Sequence, residues 1–256
     1  MRITMKKVVK VIALLLGLVL LALSWPAWML YDEIQKSRSE DPLVWEEAIR
    51  DLEAATAGRY APGQAVVFIG SSSIRLWDTL EEDMAPIPVI QHGFGGAKLN
   101  DVVHYADRLV SAYRPLAVVV FAGTNDIDPS ASKSPEVLLA SYQAFVSRVH
   151  SAQPDLPIFY IGITPSPRRW SVWTVAQATN QLIEQWSAAD PNLHFIDTSA
   201  ALMDSAGEPD PDNYVFDGLH LSDRGYAAWR RVIRERLLDP VDGVWRDAAP
   251  LKTEDL

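Results

Sequence analysis

The pattern of apolar and polar positions divides the chain into unlike parts. Residues 11–23, VIALLLGLVLLAL, contain no polar side chain, and apolar character continues through Trp25, Trp28 and Tyr31. Arg2, Lys6, Lys7 and Lys10 precede this run, and Asp32 and Glu33 come after it. Three readings compete. A cleaved signal peptide fits the basic start and the apolar core, but no clean small-x-small cleavage site follows. A buried core helix is ill suited to a chain terminus without a polar face. A retained signal anchor fits best, because the full span reaches about 20 residues and carries interfacial aromatics. The basic residues place 1–10 in the cytoplasm and everything after residue 32 outside.

From Asp32 the pattern turns polar. A helix is expected from about Asp41, with Leu43, Trp45, Ile49 and Leu52 as its apolar positions, ending at Gly58 before a Pro62-Gly63 turn. Beyond it, short Val/Ile-rich runs alternate with amphipathic stretches of helical length. The runs are Ala65–Ile69, Val89–Gln91, Leu116–Ala122, Ile158–Ile163 and Phe195–Ile196; the helical stretches lie near 98–113, 135–153, 171–189 and 223–238. Runs this apolar suit strands covered on both faces, so the alternation predicts an α/β fold with a parallel sheet of about five strands. The tail after Asp239 reads as polar and irregular.

Composition narrows the function. The chain has no cysteine, which excludes a disulfide framework, a thiolate metal site, a cysteine nucleophile and a lipidated cysteine. Net charge is −10, with no basic run after residue 10, so nucleic acid is not an expected partner. No His-x-x-x-His pair or carboxylate cluster suggests a metal.

The chemistry lies in the loops that leave the strands. Gly70-Ser71-Ser72-Ser73, Gly93-Phe94-Gly95-Gly96, Gly123-Thr124-Asn125-Asp126 and Asp217-Gly218-Leu219-His220 are polar or glycine-rich. In a parallel sheet the carboxyl ends of the strands share one edge, so these loops converge on one crevice. Acyl transfer needs a hydroxyl, a base and a group that orients the base. Ser72, His220 and Asp217 can supply them, the Asp-x-x-His spacing letting a tight turn bring the carboxylate to one ring nitrogen. The backbone N–H groups of Ser72 and Gly96 and the Asn125 amide are candidate donors to an oxyanion. Ser71 and Ser73 are competing nucleophiles.

These segments, "VVFIGSSSIRLW", "HGFGGAKLNDV", "FAGTNDI" and "DGLHLSDRGY", in that order, resemble the blocks of the SGNH or GDSL esterases and lipases across about residues 65–230. "TPSPRRW" adds a likeness to the bacterial branch similar to platelet-activating-factor acetylhydrolase. The resemblance implies a flavodoxin-like three-layer α/β/α sandwich without metal or organic cofactor. It assigns catalysis to Ser72, Asp217 and His220 and the oxyanion hole to Ser72, Gly96 and Asn125. The sequence departs from Gly-Asp-Ser by carrying Ser71 in the middle, which leaves the triad intact and changes only the hydrogen bonding expected within the loop. The catalytic domain then spans 63–239, after an anchor or signal segment (1–31) and a connector with a helix (32–62), and before a polar tail (240–256).

Other residues have plainer readings. Asp126 reads as a helix N-cap. His92, His104, His150 and His194 read as surface or structural, although His92 adjoins the glycine loop and could line the pocket. Asp210 and Asp212 suggest a solvated loop. Trp170 and Trp173, after Arg168 and Arg169, are either core or pocket rim; Arg168 and Trp170 are candidate substrate contacts. The expected function is a serine carboxylester hydrolase acting outside the cytoplasm on a small ester, sugar ester or lysolipid. The alternatives are a lysophospholipase or thioesterase, an O-acetyltransferase of cell-envelope glycans, and a tethered binding domain without activity. No lid-like apolar insertion is evident, so acetyl to butyryl esters are the expected optimum. Oligomeric state is not legible.

Overall fold

The computed structural model describes residues 31–238 and divides into two units between Ser39 and Glu40. The expected anchor run and the tail from 240 lie outside the described residues. Among the described residues no helix is long and apolar enough to cross a membrane. In the first unit, residues 31–38 are helical where the sequence predicts a polar connector. A Lys36–Asp32 ion pair at 2.7 Å, one turn apart, supports that helix.

The second unit is built on a sheet. Its strands are β1 (Val66–Gly70), β2 (Val89–Gly93), β3 (Ala117–Phe121), then a small antiparallel pair, β4 (Ile127–Asp128) and β5 (Ala131–Ser132), then β6 (Ile158–Ile161) and β7 (Leu193–Ile196). The main sheet runs β2-β1-β3-β6-β7, every pair parallel. The order reverses between β1 and β3, which opens a crevice at their carboxyl ends. Register makes those ends level: Gly70 pairs with Gly93 on one side and Phe121 on the other.

Side chains of a strand alternate between faces, and here both faces are covered. Val67 and Ile69, Val118 and Val120, Ile158 and Tyr160 pack on one side. With them lie residues of α1 (Glu46–Thr56), α4 (Leu99–Leu109), α5 (Pro135–Ala152) and α6 (Trp173–Ser187). Val66 and Phe68, Val119 and Phe121, Phe159 and Ile161 pack on the other side, with α2 (Ser72–Arg75), α3 (Leu80–Met84), α7 (Ser199–Leu202) and α8 (Asp223–Leu237). The result is a three-layer α/β/α sandwich. Trp229 of α8 anchors the second face, fully buried with its ring 5.8 Å from Trp77 and 4.8 Å from Phe121. Truncating so large a buried side chain costs about 3–5 kcal/mol.

The helix expected from Asp41 is a 3₁₀ turn, Pro42–Trp45, leading into α1. Its buried face shapes the site. The Trp45 ring lies where a Cβ on Gly95 would stand, 2.2 Å away, and Gly95 has a φ of +24°. Only glycine fits there.

Candidate active site

The first loop is set by Gly70, whose φ is +153° and whose Cβ, were there one, would lie 2.0 Å from the Phe121 carbonyl oxygen. That close approach lets the Ser71 N–H donate to the same oxygen at 3.0 Å, and the Ser71 carbonyl accepts from Ile74 and Arg75. Backbone bonds thus hold the turn that carries serine where the family pattern has aspartate. Ser72 is the first residue of α2, so its N–H has no partner within the helix.

The candidate base His220 and its candidate orienting carboxylate Asp217 come from one turn. Val215 N–H donates to the His220 carbonyl at 2.9 Å, and Tyr214 bridges Leu221. Inside this turn Asp217 Oδ1 accepts from the N–H groups of Leu219 at 2.9 Å and His220 at 3.0 Å. Asp217 Oδ2 lies 2.6 Å from His220 Nδ1, and His220 Nε2 lies 2.9 Å from Ser72 Oγ. Partial burial opposes the Asp217 charge, but the bonds from Leu219 and His220 outweigh it and hold the carboxyl below its ordinary value. Of the three adjacent serines, it is Ser72 whose hydroxyl meets the imidazole.

Asn125 approaches from the loop after β3. Its Nδ2 donates to the Ala97 carbonyl at 3.1 Å. An amide nitrogen carries two hydrogens, so one remains to donate elsewhere. Gly96 is half-buried beside Ala97. Asp126 is not the N-cap residue the sequence suggests, since β4 follows it and Lys98 is the N-cap of α4; its Oδ2 instead accepts from Leu99 N–H at 2.9 Å, across the fold at the start of α4. Burial raises the Asp126 carboxyl above its usual value despite that bond and Lys133.

A pocket opens between these parts. Ser71, Ser72, Ser73, Phe121, Thr124, Asn125, Thr164, Ser166, Leu219 and His220 line it, and its cavity volume is about 10 Å³, room for about one water. Thr164 and Ser166 belong to the TPSPRRW segment but are not named from the sequence as site residues, yet they come after β6 at the same sheet edge, and that position was the available signal. The Oγ of buried Ser166 and the Oγ1 of Thr124 have no protein partner.

The remaining candidates are not among the residues lining this pocket. His92 is fully buried, with Nδ1 2.7 Å from the Leu109 carbonyl, Nε2 3.3 Å from Thr56 Oγ1 and its ring against Tyr113. Burial pulls its pKa down to about 4, against the opposing pull of the Leu109 carbonyl and Glu53. It is a neutral structural histidine. Trp173 belongs to the core and Trp170 stacks on it at 6.1 Å, half-buried. Arg168 is exposed, but its backbone N–H donates to the Gly218 carbonyl at 2.9 Å, in the turn that carries Asp217 and His220. Arg169 pairs with Asp128. Among the described residues no group of three or more histidines and carboxylates is placed to hold a metal.

Comparison with known proteins adds the family. The model of the GDSL-like lipase/acylhydrolase family matches residues 47–228. The chain belongs to that family. Its members act on ester bonds, and this acylhydrolase is an ester hydrolase. No curated protein sequence matches it. Solved structures share its fold. One, from Streptococcus pneumonia, is provisionally described as a platelet activating factor (19% identity, 86% of this chain and 99% of that one, TM-score 0.66). A GDSL-like lipase from Bacteroides thetaiotaomicron matches at 18% identity over 73% and 95% of the two chains, TM-score 0.62. A variant of an acetyl-xylooligosaccharide esterase from Geobacillus Stearmophilus matches at 16% over 68% and 93%, TM-score 0.54.

Proposed function

We propose that this acylhydrolase is a serine carboxylester hydrolase that cleaves short acyl esters through an acyl-enzyme on Ser72. One observation carries the reading: the His220 ring stands between Ser72 Oγ at 2.9 Å and Asp217 Oδ2 at 2.6 Å. His220 Nε2 takes the hydroxyl proton as Oγ attacks the ester carbonyl carbon, and Asp217 stabilises the imidazolium. The oxygen that becomes negative is met by the N–H groups of Ser72 and Gly96 and the remaining N–H of Asn125. Collapse expels the alcohol, which takes its proton from His220. Water, deprotonated in turn by His220, then attacks the acyl-serine; collapse breaks the bond to Ser72 Oγ, which takes that proton back from His220, and releases the acid.

Pocket size supports a short acyl group. Room for about one water matches an acetyl methyl, and its walls are largely hydroxyls. A methylene forced into space already filled costs about 1–3 kcal/mol, or roughly 5–150-fold in rate. A polar alcohol portion, such as a sugar, suits the exposed Arg168 beside the catalytic turn and the half-buried Trp170 on the same segment, and the Geobacillus Stearmophilus neighbour acts on acetylated sugars. The apolar run 11–23 and the basic residues before it support attachment to the bacterial cytoplasmic membrane with the catalytic domain outside.

The test is a series of nitrophenyl esters from two to twelve carbons with the wild type, Ser72→Ala and Ser71→Ala. kcat/KM should peak at acetyl to butyryl and fall beyond about six carbons. Ser72→Ala should lose about 10⁴-fold or more, with Ser71→Ala active. An optimum at ten or twelve carbons would favour the lysophospholipase alternative, and an active Ser72→Ala would remove the nucleophile.

A further inference from the structure

A carboxylate remote in sequence joins two of the three loops that carry the proposed oxyanion donors, those of Gly96 and Asn125. Glu40 Oε1 accepts from Lys98 Nζ at 2.6 Å, and Glu40 Oε2 accepts from Lys133 Nζ at 2.9 Å. Lys133 Nζ also donates to Asp126 Oδ1 at 2.9 Å, and Lys133 N–H donates to the Asp126 carbonyl at 3.0 Å. Lys98 is next in the chain to Ala97, the residue whose carbonyl holds Asn125. Asp126 is next to Asn125 itself and holds Leu99, the residue after Lys98. The chain of bonds from Glu40 therefore closes on both sides of the Asn125 amide.

We propose that Glu40 is a positioning residue for ester hydrolysis, acting through Lys98 and Lys133 to hold the 95–98 loop against the 123–126 loop and so to aim Asn125. This rests on the reading of Asn125 as an oxyanion donor given above. The physical ground is the placement of charge. The Lys98 side chain is only 7% exposed, and an ammonium withdrawn from water requires acceptors at defined positions. One carboxylate divided between two lysines is a brace, because moving either lysine strains a charge-assisted bond to the other. Glu40 itself is 60% exposed, so its pairs add little to global stability, and the consequence falls on loop geometry. Without it, both ammonium groups turn toward the remaining acidic neighbours. Asp101, whose Oδ2 accepts from Lys98 N–H at 2.8 Å, and Asp126 are part of the scaffold of these loops.

The experiment is a double-mutant cycle on the full chain. Glu40→Gln keeps one acceptor oxygen and turns an NH₂ toward the other lysine; Glu40→Ala removes both acceptors. Each is made alone and with Asn125→Ala, and kcat, KM and melting temperature are measured with nitrophenyl acetate. Displacing a group by about 1 Å can cost 10²-fold, so a partial shift should lower kcat roughly tenfold. KM and melting temperature should change little. In the Asn125→Ala background the same change should have almost no further effect on kcat, since the group it aims is gone. An undiminished kcat in Glu40→Gln and Glu40→Ala overturns the inference, as does an equal loss in both backgrounds. The Ser72→Ala control separates the two readings: turnover independent of Ser72 removes the reaction itself and the inference with it, whereas Ser72-dependent turnover indifferent to Glu40 removes the inference alone.

Discussion

Replacing Asp217 by asparagine should silence the enzyme without disturbing its fold, and the geometry says why. Asp217 Oδ1 accepts two backbone N–H bonds, from Leu219 and His220, at 2.9 and 3.0 Å. An asparagine must keep its carbonyl oxygen there, because an NH₂ would face two donors. The NH₂ then takes the place of Oδ2, 2.6 Å from His220 Nδ1. A donor at that point makes Nδ1 an acceptor, so the imidazole proton moves to Nε2 and points at Ser72 Oγ. The base no longer has a lone pair where the serine proton leaves. Inversion of the tautomer in such a triad costs about 10⁴-fold in kcat, or roughly 5.5 kcal/mol of barrier. The assay is kcat for nitrophenyl acetate at neutral pH, with the melting temperature measured beside it. Shape and backbone bonds are retained, so stability should change by about 1 kcal/mol or less. A loss below tenfold with the fold intact would refute the assignment of Asp217 as the orienting group.

Asn125→Ala should lower kcat roughly 10²–10³-fold with a smaller change in KM, and a change confined to KM in steady-state kinetics would recast Asn125 as a substrate-binding residue. His92, at about 4 when folded against the ordinary 6.5, binds its proton more readily in the unfolded chain. Its folded pKa is depressed, so stability is full above pH 6.5, declines as pH falls toward 4 and levels off below. The total is about 3 kcal/mol, and denaturant titrations across that window should show a slope that His92→Gln lacks. The full chain should sediment with membranes while a chain starting near Asp32 stays in solution with activity; equal partitioning of both would remove the anchor reading.

Much of this was legible because β1, β3 and β6 are covered on both faces and read as unbroken apolar runs. The ends were less so. β7 begins at Leu193, not Phe195, because His194 is buried by stacking on Phe159 at 4.4 Å, a contact that periodicity does not record. β2 likewise runs on through His92, whose polarity is satisfied by Leu109. β4 and β5 are too short to leave a pattern. In the site, Ser72, Asp217 and His220 stood out because position after a strand and a three-residue spacing are properties of the chain itself. Thr164 and Ser166 had only their place after β6 to mark them, and Glu40 depends on which side chains meet across the fold, which a glutamate does not announce. The acids flanking Pro211 are another instance. Expected in a solvated loop, Asp210 and Asp212 both pair with Arg224, at 2.7 and 2.8 Å.

The indole of Trp45, seated against Gly95, has a practical consequence for where this molecule can be cut. The family match begins at residue 47, two residues past it. An expression boundary drawn from that match would discard a side chain that is 4% exposed and packs on Phe94 at 5.9 Å. It would leave a hollow beneath the glycine turn costing about 3–5 kcal/mol, a large share of what a domain of this size has to spare. A piece that keeps this indole and the turn that carries it therefore starts no later than Pro42, five positions before the outline that the family match draws.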